Sequence, residues 1–231
     1  MLKRFLAAIG LSATTAAASA SPPYAPYADD AANSIYNMLF CDLPALFEPE
    51  AAGVPARWKA TLQAEPADRE ALRALAENAG HDGRVRALAY RRLRVSGATV
   101  PRGVLLGVIT EVGLPQGLDT LAAFSEGGVR YLNFSGKMVF VEGAVPQTRE
   151  LLPRLFAAAQ VAVDTLKPWA AARRAPPANG FIRFTFLTSD GMYFGEGPIE
   201  AMASDGMGGP IVRYATELMQ TVVGMDLHKA D

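Results

Sequence analysis

The chain has 231 residues, half of which are hydrophobic, and its formal net charge is −1. This length is typical of one large domain or two small ones, and the hydrophobic content excludes an intrinsically disordered chain. A charge balance so close to neutral excludes the basic surface of a nucleic-acid-binding protein, so we expect no nucleic-acid partner. The single cysteine, Cys41, rules out an internal disulfide, and its apolar helical surroundings predict a buried, unreactive thiol.

The first twenty residues have the three parts of an export signal. Lys3 and Arg4 give a positive start, and residues 5–18 are apolar or small and uncharged. The sequence Ala18-Ser19-Ala20 then matches the small-x-small pattern at which such signals are cleaved. The apolar run is shorter than the roughly 20 residues that cross a bilayer, so we expect no membrane span. We predict a periplasmic or secreted protein cleaved after Ala20, with a cytoplasmic protein from a misassigned start codon as the alternative.

Residues 21–100 are predicted to form a helical subdomain. The proline-rich segment 21–28 should be extended, and a short helix follows it that is stopped by Pro44. Acidic residues near their starts and glycines after their ends predict two more helices over residues 67–79 and 84–95. These two helices should form a hairpin.

The remaining residues, 101–231, are predicted to form an α+β domain. The predicted strands cover residues 103–112, 118–126, 129–134, 137–142, 181–187 and 192–196. One long helix separates the fourth strand from the fifth, and a last helix should carry Pro210 in its first position and end at Gly224. The fold class is therefore α+β: N-terminal helices, then an antiparallel sheet of about six strands with helices packed on one face.

Catalytic motifs are scarce in this sequence. It has only two histidines, His81 and His228, and no nucleophile elbow, zinc-binding helix motif or phosphate-binding loop. Asp190 and Glu196 are weak catalytic candidates, because their spacing could place both at one rim as an acid–base pair. Asp190 is equally typical of a turn, and Glu196 of a strand end. We therefore assign no catalytic residue, no metal site and no cofactor.

Two surfaces are candidates for binding a partner. The arginines of the predicted helix 84–95, among them Arg84, Arg91 and Arg92, form a face that could meet an acidic partner. Tyr193 and Phe194 belong to a glycine-rich aromatic segment, and aromatic residues dominate the energetics of interfaces.

These features favour an exported, soluble, non-catalytic protein that acts through contacts with an unidentified protein partner, in an unassigned oligomeric state. Two alternatives remain open. One is a periplasmic hydrolase-like enzyme that uses Asp190 and Glu196. The other is a small-ligand sensor whose pocket lies between the sheet and a helix.

Overall fold

A computed structural model describes residues 23–47 and 57–227. Within these ranges one antiparallel sheet has the strand order β4-β3-β2-β1-β5-β6. Its strands are β1 (Leu105–Leu114), β2 (Gly117–Phe124), β3 (Val129–Leu132), β4 (Met138–Val141), β5 (Phe181–Thr188) and β6 (Gly191–Pro198). The predicted α+β class and the antiparallel sheet are confirmed. The predicted export signal and His228 lie outside the described residues.

Helices precede the sheet, follow its fourth strand and follow its sixth strand. They are α1 (Asp30–Met38), α2 (Arg57–Gln63), α3 (Arg69–Glu77), α4 (Gly83–Val95), α5 (Leu151–Thr165), α6 (Ile199–Ser204) and α7 (Gly208–Leu227). Short 3-10 helices cover Pro44–Phe47 and Pro146–Thr148. Asp29 and Asp68 cap α1 and α3, because their side chains accept hydrogen bonds from backbone amides of the first turn.

Both faces of the sheet are covered by helices. Successive side chains of a strand point to opposite faces, so Ile109 joins one core and Val108 the other. The first core contains α1, α3 and α4, and the second contains α5 and α7. The helices of the predicted 21–100 subdomain therefore share a core with the sheet.

The last helix differs from its predicted bounds. The Asp205 carboxylate accepts hydrogen bonds from the backbone amides of Met207 and Gly208, and α7 begins there, two residues before Pro210. The helix also continues through Gly224, because one glycine inside a long packed helix costs only about 1 kcal/mol. The prediction that Pro210 opens this helix and Gly224 ends it is therefore wrong.

The segment before α1 is fixed by two asparagine side chains. The Asn33 amide accepts from the Tyr27 nitrogen at 2.9 Å and donates to the Tyr27 oxygen at 2.8 Å. One turn later, Asn37 makes the same pair of bonds with Tyr24, at 3.0 and 2.7 Å. Each side chain thus replaces a neighbouring peptide group, and both tyrosines are buried.

Two glycines should respond oppositely to alanine. A Cβ on Gly83 would lie 2.4 Å from the Leu106 backbone oxygen, whereas nothing lies within 4 Å of a Cβ on Gly224. We expect Gly83→Ala to lower the free energy of unfolding by roughly 1–3 kcal/mol, because α4 must move away from β1. Gly224→Ala should raise it by up to about 1 kcal/mol through helix propensity. Urea titrations of both variants measure these changes. If Gly83→Ala is as stable as Gly224→Ala, the close contact between Gly83 and Leu106 is disproved.

Candidate functional site

A groove of about 550 Å3 opens over β5 and β6, on the same face of the sheet as the first core. Its walls are α4, the turn after α1, and the loop that leaves α5. We call it the arginine groove, because Arg91, Arg94 and Arg173 line it together with one carboxylate, that of Asp42. Three cations against one anion make it a positively charged cleft.

The loop after α5 forms one wall because it is held along the outer edge of β6. Pro168 cannot continue a helix, and the next residue, Trp169, donates its backbone N–H to the Met192 oxygen at 2.7 Å. The Trp169 ring meets the Phe194 ring edge-on, with centroids 4.8 Å apart. These two contacts hold the loop on the sheet, and the loop in turn places Arg173 at the floor of the groove.

Arg173 is a buried cation that joins three separate parts of the chain. Its Nε donates to Asp42 Oδ2 at 2.9 Å, and its Nη2 donates to Asn37 Oδ1 at 2.8 Å. The guanidinium lies 3.9 Å from the centre of the Phe40 ring and 5.0 Å from that of Tyr24. The Tyr24 hydroxyl donates to the Arg173 carbonyl oxygen at 2.8 Å. The side chain is therefore immobilised by ion pairing, hydrogen bonding and ring contacts at once.

Two polar atoms at the floor of the groove lack hydrogen-bond partners. In the described part of the chain only four buried side-chain nitrogen or oxygen atoms are unpartnered, and two of them are Arg173 Nη1 and Asp42 Oδ1. A buried polar group without a partner typically costs 1–3 kcal/mol, and more when it is charged. Arg173 therefore keeps one unused donor and Asp42 one unused acceptor, both buried beneath the surface of the groove.

Only one of the three predicted arginines lines the groove. Arg91 does, whereas Arg84 pairs with Asp82 and Arg92 pairs with Glu65. Arg94, on the same helix, also lines the groove and donates to the Ser189 carbonyl oxygen. Desolvation lowers the pKa of Arg94, which nonetheless stays a cation at neutral pH. Within residues 23–47 and 57–227, no carboxylate forms an ion pair with Arg91.

Tyr193 and Phe194 point to opposite faces of the sheet, as neighbours in a strand must. Tyr193 is fully buried in the second core, where its hydroxyl donates to Asp190. Phe194 lies beside the groove, with the Arg174 guanidinium 5.5 Å from its ring centre. The structure therefore places Phe194, and not Tyr193, next to the arginine groove.

Asp190 and Glu196 are not brought together. Asp190 turns the β5–β6 hairpin and accepts hydrogen bonds from the Gly103 amide and the Thr188 and Tyr193 hydroxyls. Burial raises the pKa of Asp190, but these hydrogen bonds outweigh it and lower the pKa overall. Glu196 pairs with Arg183 at 2.7 Å, six residues and so roughly 20 Å further along the strand.

Cys41 is buried, as predicted, in the turn between α1 and the first 3-10 helix. Its Sγ lies 3.6 Å from the Arg84 carbonyl oxygen. Burial raises the pKa of the thiol well above its ordinary value, which suppresses the reactive thiolate.

Across the described ranges, no three His, Cys, Asp or Glu side chains are grouped as a metal ion requires. No described helix combines the length and apolar character needed to cross a membrane. Comparisons with protein-family models, with curated proteins and with solved structures find no match to this chain.

Sequence reasoning missed the floor of the groove. It assigned no role to Arg173, Asn37 or Asp42. The available signal was an Arg173-Arg174 pair shortly after Trp169 in a segment otherwise rich in alanine and proline. Charged and aromatic residues in such a loop are typical of a functional segment.

Proposed function

We propose that this chain is an exported, non-catalytic binding protein whose arginine groove holds an extended, acidic polypeptide segment of a partner protein. The positive charge of the groove carries this proposal, because Arg91, Arg94 and Arg173 line it with a single carboxylate. Arg173 Nη1 and Asp42 Oδ1 are buried and lack hydrogen-bond partners. A small shift of these side chains on binding would let a peptide carbonyl accept from the first and a peptide N–H donate to the second.

The rim of the groove favours acidic side chains. Arg91 extends from α4 above the floor without an ion-pair partner in the described part of the chain. A Glu or Asp side chain of the bound segment would form an ion pair with Arg91. Such a pair chiefly increases the specificity and the association rate of binding. Trp169 supplies apolar surface on the opposite wall of the groove. Its side chain is 36% exposed, and its indole N–H donates a hydrogen bond to the Ala172 carbonyl oxygen. Pre-ordered walls of this kind lower the entropic cost of binding.

The experiment measures the affinity of a labelled octapeptide of alternating Glu and Val by fluorescence anisotropy. The wild type should bind this probe, and Arg91→Glu should weaken binding at least tenfold, because an attractive charge becomes a repulsive one. Binding should also weaken as salt rises. The same peptide with Gln in place of Glu should bind less tightly.

Arg213→Glu is the matched control, because Arg213 is an exposed arginine on α7, away from the groove. This variant makes the same change in net charge and should leave the affinity within about twofold of wild type. Failure of the wild type to bind the acidic peptide would refute the proposal. Equal weakening by Arg91→Glu and Arg213→Glu would also refute it, since only net charge would then matter.

Export is proposed on the pattern of residues 1–20, which supports a cleaved leader. Expression of the full chain with a C-terminal tag, followed by fractionation and N-terminal mass spectrometry, tests this part separately. A periplasmic product that begins at Ser21 is expected. An uncleaved cytosolic product would overturn export without affecting the groove.

A further inference from the structure

A second cavity lies on the other face of the sheet, among residues of the second core. We call it the sheet–helix cavity, because it separates β1, β2 and β5 from α6 and α7. Its volume of about 270 Å3 is close to the lower end of the range for ligand sites, roughly 300 Å3. Its walls are mostly aliphatic and include Val112, Leu121, Ile182, Ile199, Val212 and Met219.

The floor of this cavity carries one unpartnered polar atom. Thr110 lies in the middle of β1 and is only 5% exposed, and its Oγ1 is buried without a hydrogen-bond partner. Its cross-strand neighbours are Leu121 and Phe184, neither of which can supply one. Thr110 lines the cavity although its Oγ1 is itself almost inaccessible, so a rotation about χ1 is needed to present the hydroxyl to a ligand. A buried unpaired hydroxyl is costly, and a ligand with one hydrogen-bonding group would satisfy it.

The polar rim of the cavity is already satisfied internally. The Tyr131 hydroxyl donates to Asp119 Oδ2 at 2.7 Å, and the Phe134 amide donates to Oδ1 at 2.8 Å. None of the described residues that line the cavity is Lys, Arg or His. An anionic ligand would therefore meet the Asp119 carboxylate with no compensating cation, which excludes fatty acids and phosphates as good ligands.

We propose that the sheet–helix cavity binds a small, neutral and mainly apolar molecule whose single hydroxyl, carbonyl or amide group bonds to Thr110 Oγ1. The apolar body of the ligand replaces water against the aliphatic walls, and its one polar group forms the hydrogen bond that Thr110 Oγ1 lacks. This site lies across the sheet from the arginine groove and does not depend on the function proposed for that groove.

The test uses 1-octanol and octanoate, which share an alkyl chain and differ in charge. Methyl-detected NMR titrations of the full chain should show the Met219 and Ile199 signals shifting with 1-octanol, while the Met38 signal of α1 stays in place. Octanoate should bind at least tenfold more weakly. No shift at Met219, or equal affinities for the two probes, would overturn the proposal.

Two variants separate the hydrogen bond from the cavity. Thr110→Val keeps the shape of the side chain and should reduce affinity for 1-octanol roughly 5- to 10-fold. Thr185→Val is its matched control, a buried threonine of β5 that lines the opposite face, and should leave the affinity unchanged. Ala215→Leu places a larger side chain in the cavity wall and should abolish binding. Undiminished binding by Thr110→Val would show that the ligand makes no hydrogen bond to this hydroxyl, and undiminished binding by Ala215→Leu would show that it sits elsewhere. Either result would overturn the proposal.

Discussion

Replacing Arg173 with methionine should lower the free energy of unfolding by about 3–5 kcal/mol, the usual cost of breaking a buried ion pair. Methionine retains an apolar chain of similar length, so the loss comes from the guanidinium. Asp42, whose side chain is 13% exposed, would be left without its cation, and Asn37 would lose a donor. The Phe40 ring would lose a cation 3.9 Å from its centre. Urea unfolding at neutral pH measures the change.

Two further variants show whether charge causes this loss. Arg173→Met combined with Asp42→Asn should recover much of the stability, because no buried charge remains unpaired. Arg174→Met is the matched control: Arg174 is exposed and stacks near Trp169, so the expected loss is about 1 kcal/mol or less. A double variant as unstable as Arg173→Met alone would contradict the charge-pair explanation.

The protein should lose stability through Glu111 as the pH rises above about 4.5. This residue of β1 is fully buried, and its Oε1 accepts a hydrogen bond from the Tyr36 hydroxyl at 2.6 Å. Its Oε2 has no hydrogen-bond partner and lies 3.7 Å from Arg183 Nη1, while Arg183 is 2.7 Å from Glu196. The arginine thus favours Glu196, and burial raises the pKa of Glu111 above its ordinary value.

The direction of this pH dependence follows from how tightly the folded and unfolded states bind the proton of Glu111. Because the folded pKa of Glu111 lies above the unfolded one, the folded protein holds this proton more tightly. The resulting stabilisation is fully present below the unfolded pKa of about 4.5 and is lost as the pH rises through the folded pKa. Within that window one group changes the free energy of unfolding by up to about 1.4 kcal/mol per pH unit.

Glu111→Gln isolates this contribution. Glutamine keeps an acceptor for the Tyr36 hydroxyl and cannot ionise, so this part of the pH dependence should disappear. Chemical unfolding of the wild type and the variant between pH 4 and 8 measures the difference, and the exposed Glu200→Gln should follow the wild type. If the stability difference between Glu111→Gln and the wild type does not change with pH, the proton is not held at Glu111.

The strands could be predicted from the sequence because their signals are local. Residues 181–187 alternate between the two faces, and Ser189-Asp190-Gly191 is a turn sequence, so the β5–β6 hairpin was found. The covering of both sheet faces was not predicted, because helices were expected on one face only. The available signal was the nearly continuous apolar run over residues 104–109 at the start of β1, which is typical of a strand that is covered on both sides.

The arginine groove could not be predicted in the same way, because its floor is assembled from distant residues. Arg173 bonds to Asp42 and Asn37, which precede it by 131 and 136 residues. Arg91 was identified because a polar helix face is visible in the sequence. The spacing of arginines on this helix does not show that Arg84 is paired with Asp82 and Arg92 with Glu65 in the folded protein.

The strand order also separates local strand pairing from long-range strand pairing. The β1–β4 meander and the β5–β6 hairpin can each form from neighbouring residues, whereas the central pairing of Val108 with Phe186 must close a long loop that contains α5. Until that loop closes, β1 is an unpaired edge with apolar side chains on both sides, able to pair with the same strand of another molecule. Refolding yield should therefore fall as protein concentration rises, with Leu105–Leu114 as the segment that mispairs.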